Sequence, residues 1–182
     1  MLLSIGSAED LRALDDLHAR YVHAIDRGDL DLLQGLYLPD AVEHHGDYSG
    51  GIDGFVTWLR PILGFFEIAT HTISSLLVRT DGNIAESEAR GTAFLRTKGE
   101  RPFNMIVVNR HFDTYRKLDG RWLFASRSVC VDWAEQFAPS EAPLDVVRPF
   151  PAGTSACDDP VYRHVPGLVE AIRRGLPQGG EV

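Results

Sequence analysis

Four long stretches of alternating apolar and polar residues fill the second half of this chain and constrain its fold more than any other feature. The alternation has the period of two that places successive side chains on opposite faces of a β-strand. It predicts strands over residues 71–79, 83–97, 103–117 and 121–133. Two Asp-Gly pairs each connect neighbouring stretches, as expected for tight hairpin turns. We therefore expect a mostly antiparallel sheet whose long strands curve strongly.

Three apolar patterns with helical spacing precede the sheet. The first covers residues 8–27, after the helix-starting residue Ser7 and before Gly28, which offers a left-handed stop. A short second helix follows Asp29, and a third covers residues 52–66. Helices in this position cover the concave side of the curved sheet. The fold class predicted is therefore α+β, a cone-shaped barrel that encloses a lined pocket.

Charge and hydropathy exclude several classes of function. The chain has 182 residues and a formal net charge of −8, without a cluster of lysines or arginines. Nucleic-acid binding rests mainly on clustered positive charge, so no nucleic-acid partner is expected. No apolar run approaches the roughly 20 residues that span a bilayer. We expect no membrane partner and a cytoplasmic location, with Cys130 and Cys157 as reduced thiols.

The last part of the chain differs in composition, because prolines recur there and interrupt any long element. A proline-rich segment of this length does not build a core of its own. We therefore predict one cone domain over residues 1–137 and a C-terminal arm over residues 138–182. The arm is expected to pack on the pocket or on a neighbouring subunit.

His71 and Asp26 are the first candidates for chemistry. His71 begins an otherwise apolar strand, so its imidazole, which exchanges protons near neutral pH, can face the enclosed space. The alternative is a core histidine bonded to a backbone carbonyl. Asp26 lies in the last turn of the first helix, near the edge of the apolar stripe. The alternative interpretation of Asp26 is a solvated aspartate in the turn that follows the helix.

Arg127 is the third candidate, because it interrupts an apolar row on the last predicted strand. A buried arginine needs a partner, since an unpaired buried charge is strongly destabilising. This face of the strand can instead point outward, or Arg127 can pair structurally with Asp113. The adjacent His44 and His45 suggest a metal site, but neighbouring strand residues point to opposite faces. We therefore expect no metal site.

Four short motifs carry a resemblance to a known family. Residues 20–29 read Arg-Tyr-Val-His-Ala-Ile-Asp-Arg-Gly-Asp, and residues 36–41 read Leu-Tyr-Leu-Pro-Asp-Ala. Thr-His at 70–71 and Asp-Gly-Arg-Trp at 119–122 follow. Together they resemble the SnoaL-like branch of the nuclear-transport-factor-2-like superfamily, over roughly residues 8–135. The motifs identify the fold well and the substrate poorly.

Within that superfamily the chain resembles the small cofactor-free lyases scytalone dehydratase, bile-acid 7α-dehydratase and hexachlorocyclohexane dehydrochlorinase. The resemblance implies a catalytic dyad of His71 and Asp26, with Tyr21 and Arg127 as further catalytic residues. It implies elimination of water, halide or formaldehyde without a metal or nucleotide cofactor. It also implies a homo-oligomer, a trimer or a dimer.

Chemistry agrees with these roles. Elimination needs a base for a C–H proton, and His71 would serve, held by Asp26 at about 2.6–3.2 Å. We expect the pocket wall to include the substrate-binding residues Phe66, Val107, Asn109 and Trp133. This mostly apolar wall predicts a small apolar cyclic or aromatic substrate.

Two other functions remain open. A SnoaL-like polyketide cyclase would use an aspartate as acid and base in an aldol condensation, and Asp113 or Asp26 suits that role. A non-catalytic partner subunit, like the β subunits of ring-hydroxylating dioxygenases, would use the same fold without chemistry.

Overall fold

The computed structural model describes residues 5–140, 145–156 and 158–174. The elements of the cone domain, in chain order, are α1 (Ala8–Arg27), α2 (Leu30–Gly35), β1 (Tyr37–His45), β2 (Tyr48–Gly51), α3 (Ile52–Phe65), β3 (Phe66–Asp81), β4 (Ile84–Thr97), β5 (Asn104–Leu118) and β6 (Arg121–Phe137). The arm adds a 3₁₀ turn (Asp145–Val147), α4 (Pro160–His164) and α5 (Pro166–Arg173). Cys130 carries a free thiol, and Cys157 lies outside the described residues.

Helix α1 has the bounds that the sequence predicts, because both of its ends are fixed locally. The Ser7 hydroxyl accepts the backbone N–H of Asp10 and caps the start. Gly28 ends the helix in the left-handed region, at φ 63°. Among the described residues, no helix is long and apolar enough to cross a membrane.

The six strands form one mixed sheet in the order β2-β1-β6-β5-β4-β3. All neighbours are antiparallel except β1 and β6, which run parallel. The α+β cone is thereby confirmed, although hydrogen bonds do not close the sheet. Strands β1 and β2 precede the four strands that the sequence pattern predicts. Helix α3 connects β2 directly to β3, so it joins the two edges of the sheet.

Strand β6 has two bulges against β5, at Ala125 and Asp132. Each extra residue reverses which of the following side chains face the concave side. Phe124 and Arg127 consequently both face the interior, where they are fully buried. Trp133 lies on the outer face and is 48% exposed.

Small residues line the concave face of β4. The residues are Ala85, Ala89, Gly91 and Ala93. All four are buried, and they lie opposite larger inward-facing residues of β5. Gly91 has no room for a methyl group, since a Cβ there would lie 2.6 Å from Asn109 Oδ1. The small side chains of β4 therefore leave room for the larger side chains of β5.

The described part of the arm packs along α1. Arg27 Nη1 donates to the Thr154 carbonyl at 2.6 Å and lies 3.2 Å from the Asp159 carboxylate. Closer to the helix start, Arg20 Nη1 donates to the Ile172 carbonyl at 3.0 Å. These contacts attach the arm to the cone domain of its own chain. Packing on a neighbouring subunit stays a prediction.

Candidate active site

Asp26 and His71 meet where the end of α1 crosses β3. Asp26 Oδ1 lies 2.6 Å from His71 Nδ1, and both carboxylate oxygens accept the backbone N–H of His71 at 3.1 Å. The Asp26 side chain is 8% exposed and that of His71 is 26% exposed. An ionised carboxylate only accepts hydrogen bonds, so Nδ1 carries the proton and Nε2 keeps its lone pair. The contact expected from the sequence is confirmed.

Arg127 and Asp113 form a fully buried ion pair. Arg127 Nε and Nη2 donate to the two Asp113 oxygens at 2.7 and 2.9 Å, and neither side chain is exposed. The structural pairing that the sequence left open is therefore present. Arg127 Nη1 has no hydrogen-bond partner among the described residues. One nitrogen of the buried guanidinium thus lacks a partner in this part of the chain.

Tyr21 lies against this guanidinium. The Arg127 carbon centre is 4.0 Å from the centroid of the Tyr21 ring, in a cation–π contact. The ring also faces His111 edge-on, with centroids 6.2 Å apart. Burial raises the pKa of Tyr21 to about 12, partly offset by the charge of Arg127. The phenol therefore keeps its proton at physiological pH and is a neutral hydroxyl that can donate or accept a hydrogen bond.

A second polar network continues from Asp113 through the core. Tyr115 Oη donates to Asp113 at 3.2 Å and lies 2.7 Å from His18 Nε2 and 2.6 Å from Ser87 Oγ. Burial, followed by the charge of Arg127, lowers the pKa of His18 well below its ordinary value. These residues lie far apart in the sequence, on α1, β4 and β5. Only the strand register brings them together, so sequence reasoning did not single out His18 or Tyr115.

His18, His111 and Asp113 have the composition of a metal site. Their potential ligand atoms lie within 4.8 Å of one another. However, Arg127 already donates to both Asp113 oxygens and Tyr115 bonds His18 Nε2. The adjacent guanidinium charge also repels a second cation. The donor set therefore fits a hydrogen-bonded core better than a metal centre.

His111 belongs to this interior as a neutral ring. Burial first, and then the charge of Arg127, lower its pKa to about 2. Its Nδ1 atom has no partner among the described residues, and the same holds for Asn109 Oδ1 two residues earlier on the inward face. With Arg127 Nη1 and His18 Nδ1, four buried side-chain atoms in the described residues lack a hydrogen-bond partner. The sequence patterns put His111 in the correct row but gave it no role.

The four predicted wall residues occupy different places. Asn109 is buried on the inward face of β5, and Val107, half-buried, lies opposite Ala93. Phe66 is half-buried at the start of β3. Trp133 lies on the outer face after the second bulge, paired with Val108, so it does not line the wall that Asn109 forms.

Comparison with known proteins agrees with this architecture. The SnoaL-like domain matches residues 6–128. An uncharacterized protein of Mycobacterium tuberculosis (strain H37Rv) is 35% identical over 92 residues, which are 47% of this chain and 60% of that protein. The chain thus spans less than two thirds of the curated relatives it matches.

Two solved structures share the fold. A protein of Novosphingobium aromaticivorans described as a candidate scytalone dehydratase has a TM-score of 0.66 at 23% identity, over 72% of this chain and 89% of that one. A hexachlorocyclohexane dehydrochlorinase, LinA type 2, has a TM-score of 0.66 at 15% identity, over 75% and 95%. The fold and the match over more than half of the sequence lead to one conclusion: the chain belongs to the SnoaL-like domain family.

Proposed function

We propose that this protein is a cofactor-independent lyase that eliminates water, halide or formaldehyde from a small, largely apolar cyclic or aromatic substrate. The observation that carries the proposal is the 2.6 Å contact between Asp26 Oδ1 and His71 Nδ1, which fixes the tautomer of a partly exposed histidine. The dehydratase and dehydrochlorinase among the proteins of the same fold support the reaction class.

His71 acts as the base in this reaction. Its Nε2 lone pair takes a proton from a carbon of the substrate, and Asp26 stabilises the imidazolium that forms. The backbone N–H of His71 holds the same carboxylate, so the ring and the carboxylate move as one unit. A base fixed in this way needs little reorganisation when the proton arrives.

Arg127 and Tyr21 act on the other side of the reacting bond. As the C–H bond breaks, negative charge develops on a carbonyl oxygen of the substrate or on the leaving group. Arg127 Nη1 has no partner among the described residues. Because it is a charged donor, it is suited to stabilise an oxyanion through a hydrogen bond. Tyr21 keeps Arg127 in place through its ring and provides a neutral hydroxyl.

The test is turnover by the full chain. The protein is incubated with a panel of hydroxylated and halogenated cyclic and aromatic compounds, and a new conjugated double bond is followed by absorbance and mass. We expect elimination products that His71→Ala does not form. A product of unchanged mass would indicate cyclisation instead, and a complete absence of turnover by folded protein would refute the lyase.

We also propose that the chain works as a homo-oligomer, a trimer or a dimer. Large apolar side chains on the outer sheet face support it, among them Phe94, Phe112 and Trp133, which are 47%, 40% and 48% exposed. Burial of such side chains favours association. Sedimentation of the parent and of Trp133→Glu tests it, since the variant should shift towards a smaller species.

A further inference from the structure

A second histidine–carboxylate pair lies on β1. His45 Nδ1 is 3.2 Å from Glu43 Oε1, and the Tyr37 hydroxyl donates to Glu43 Oε2 at 2.9 Å. The Glu43 side chain is fully buried, whereas that of His45 is 33% exposed. Because the Glu43 carboxylate accepts from Nδ1, the Nε2 atom of His45 points away from Glu43. No described residue bonds that atom, so it is free to meet a ligand.

This pair faces the same interior as the Asp26–His71 dyad. On β1, Ala41 and Glu43 are buried, so the alternation places His45 on the concave face as well. Glu43 lies directly opposite Arg127 in the sheet. The second pair is therefore adjacent to the guanidinium that the dyad would use in catalysis.

Helix α3 connects the two edges of the sheet. Strands β1 and β3 are separated by four strand spacings, about 19 Å on a flat sheet, which no small substrate bridges. Helix α3 spans this gap on the curved sheet, since it packs on His45 and then continues into β3. The His45 ring lies 5.5 Å from that of Phe55 and 5.8 Å from that of Trp58. His71 follows five residues after β3 begins at Phe66.

His111 provides an independent link between the two sides. It lies on β5, in the middle of the sheet, and contacts Tyr21 of α1. In the sheet, Arg127 lies between Glu43 of β1 and Asp113 of β5, and Asp113 is two residues from His111. The same concave face therefore carries both imidazoles.

We propose that His45 is a second catalytic residue, the proton donor to the leaving group, and that Glu43 is its positioning residue. The inference rests on the proposed lyase function. His71 Nε2 takes the proton, the C–H electron pair forms the C=C bond, and the C–O bond breaks. The departing oxygen takes the proton from protonated His45 Nε2 and leaves as water. Exchange with solvent then returns both rings to their starting protonation.

This division of roles selects a substrate class. A hydroxyl is a poor leaving group and needs a proton, whereas halide leaves without one. The role proposed for His45 therefore favours substrates that lose water over substrates that lose halide.

Two probes with one carbon skeleton test the role of His45. Dehydration of 3-hydroxy-1-tetralone and loss of acetic acid from 3-acetoxy-1-tetralone give the same fluorescent product, 1-naphthol. We expect His45→Gln to lower kcat on the hydroxy probe on the order of 10²-fold or more. On the acetoxy probe, whose leaving group needs no proton, the loss should stay under about tenfold. Equal losses on both probes would overturn the proposal.

The adjacent histidine offers a matched control. His44 points to the opposite face, is exposed, and bonds Ser49 Oγ at 2.8 Å, so His44→Gln should leave both probes unaffected. Glu43→Gln should lower kcat on the hydroxy probe with little change in KM, since it misorients the donor without removing it. A Glu43→Gln variant that raises KM alone would count against the positioning role.

A binding measurement keeps this inference separate from the lyase proposal. 1-Naphthol is titrated into the parent protein, and the ring carbon-bound protons of His45 and His71 are followed by NMR, assigned with His45→Gln and His71→Gln. Both signals should shift in parallel. A shift of the His71 signal without that of His45 would overturn the shared pocket, even if turnover is seen. Parallel shifts without turnover on any panel compound would refute the lyase and leave the shared pocket standing.

Discussion

Arg127 and Asp113 lie directly opposite each other on β6 and β5, and the guanidinium donates to both oxygens of the carboxylate. Neither side chain reaches solvent. Such a pair stabilises the fold only while both members are present, because either one alone is an uncompensated buried charge. The same two hydrogen bonds orient the remaining guanidinium nitrogen towards the interior.

Arg127→Met should therefore lower the free energy of unfolding by about 3–5 kcal/mol, as measured by urea denaturation at neutral pH. Arg127→Met combined with Asp113→Leu should recover a large part of the loss, since neither member of the pair is then left as an unpaired charge. The matched control is Arg110, which donates in the same bidentate way to Asp132 across the same two strands but near solvent. Arg110→Met should have a far smaller effect, because exposed pairs are well screened. Equal losses at both sites would contradict the argument.

Asp26 and His71 should act as one unit. His71→Ala should reduce kcat on the order of 10²–10⁴-fold, the range of general-base catalysis. Asp26→Asn should also reduce kcat steeply with little change in KM, because the amide no longer stabilises the imidazolium. The double substitution should be hardly slower than His71→Ala. Single-turnover rates on the hydroxy probe measure all three, and independent, multiplying losses would count against the dyad.

Acid should destabilise the protein through His111. Its pKa is lowered from 6.5 to about 2 in the folded chain, so between those values the unfolded chain binds the extra proton. The free energy of unfolding therefore decreases as the pH is lowered, by about 1.4 kcal/mol per pH unit for this proton. Between pH 6 and 4, His111→Asn should reduce the slope of the free energy of unfolding against pH by that amount. Urea denaturation at several pH values measures it, and an unchanged slope would show that His111 titrates normally.

Asp10 should stabilise the start of α1, and this contribution is also lost on acidification, but over a narrower and more acidic range than that of His111. Hydrogen bonds from Lys117, Ser7 and Trp122 lower its pKa from 3.8 to about 2. The stabilisation is therefore complete above about pH 4 and disappears as the pH falls through about 2. Asp10→Asn should cost stability at pH 7 and nothing below pH 2. Asp15→Asn, on the exposed side of the same helix, is the control, and equal losses would contradict the assignment.

Local signals account for what the sequence predicted well. The Ser7 cap and the Gly28 stop fix α1 without help from distant residues. The Asp-Gly turn at 119–120 has φ values of 50° and 78°, the left-handed pair that a tight hairpin requires. Asp26 and His71 were placed together only through the family resemblance, since 45 residues separate them.

The missed features depend on pairing between distant segments. Strand β2 is rich in glycine and has no alternation to reveal it, and it exists because β1 supplies its hydrogen bonds. The bulges at Ala125 and Asp132 carry no sequence signal, yet the second moves Trp133 to the outer face. In the sequence pattern, three residues appear only as single polar positions in predicted strands: Glu43, His45 and His111. Their common interior follows from strand order, which periodicity does not determine.

The small residues on the concave face of β4 separate two properties that a substitution usually changes together, the space for a ligand and the groups that transfer protons. The proposed acids and bases belong to other elements, to α1, β1, β3, β5 or β6, whereas the buried residues Ala85, Ala89, Gly91 and Ala93 of β4 have no titratable side chain. Added methyl groups at Ala89 or Ala93 should reduce the space on the concave face and leave the acids and bases where they are. Substitutions on this strand can thus change the size of the ligand that fits without replacing a residue that transfers protons.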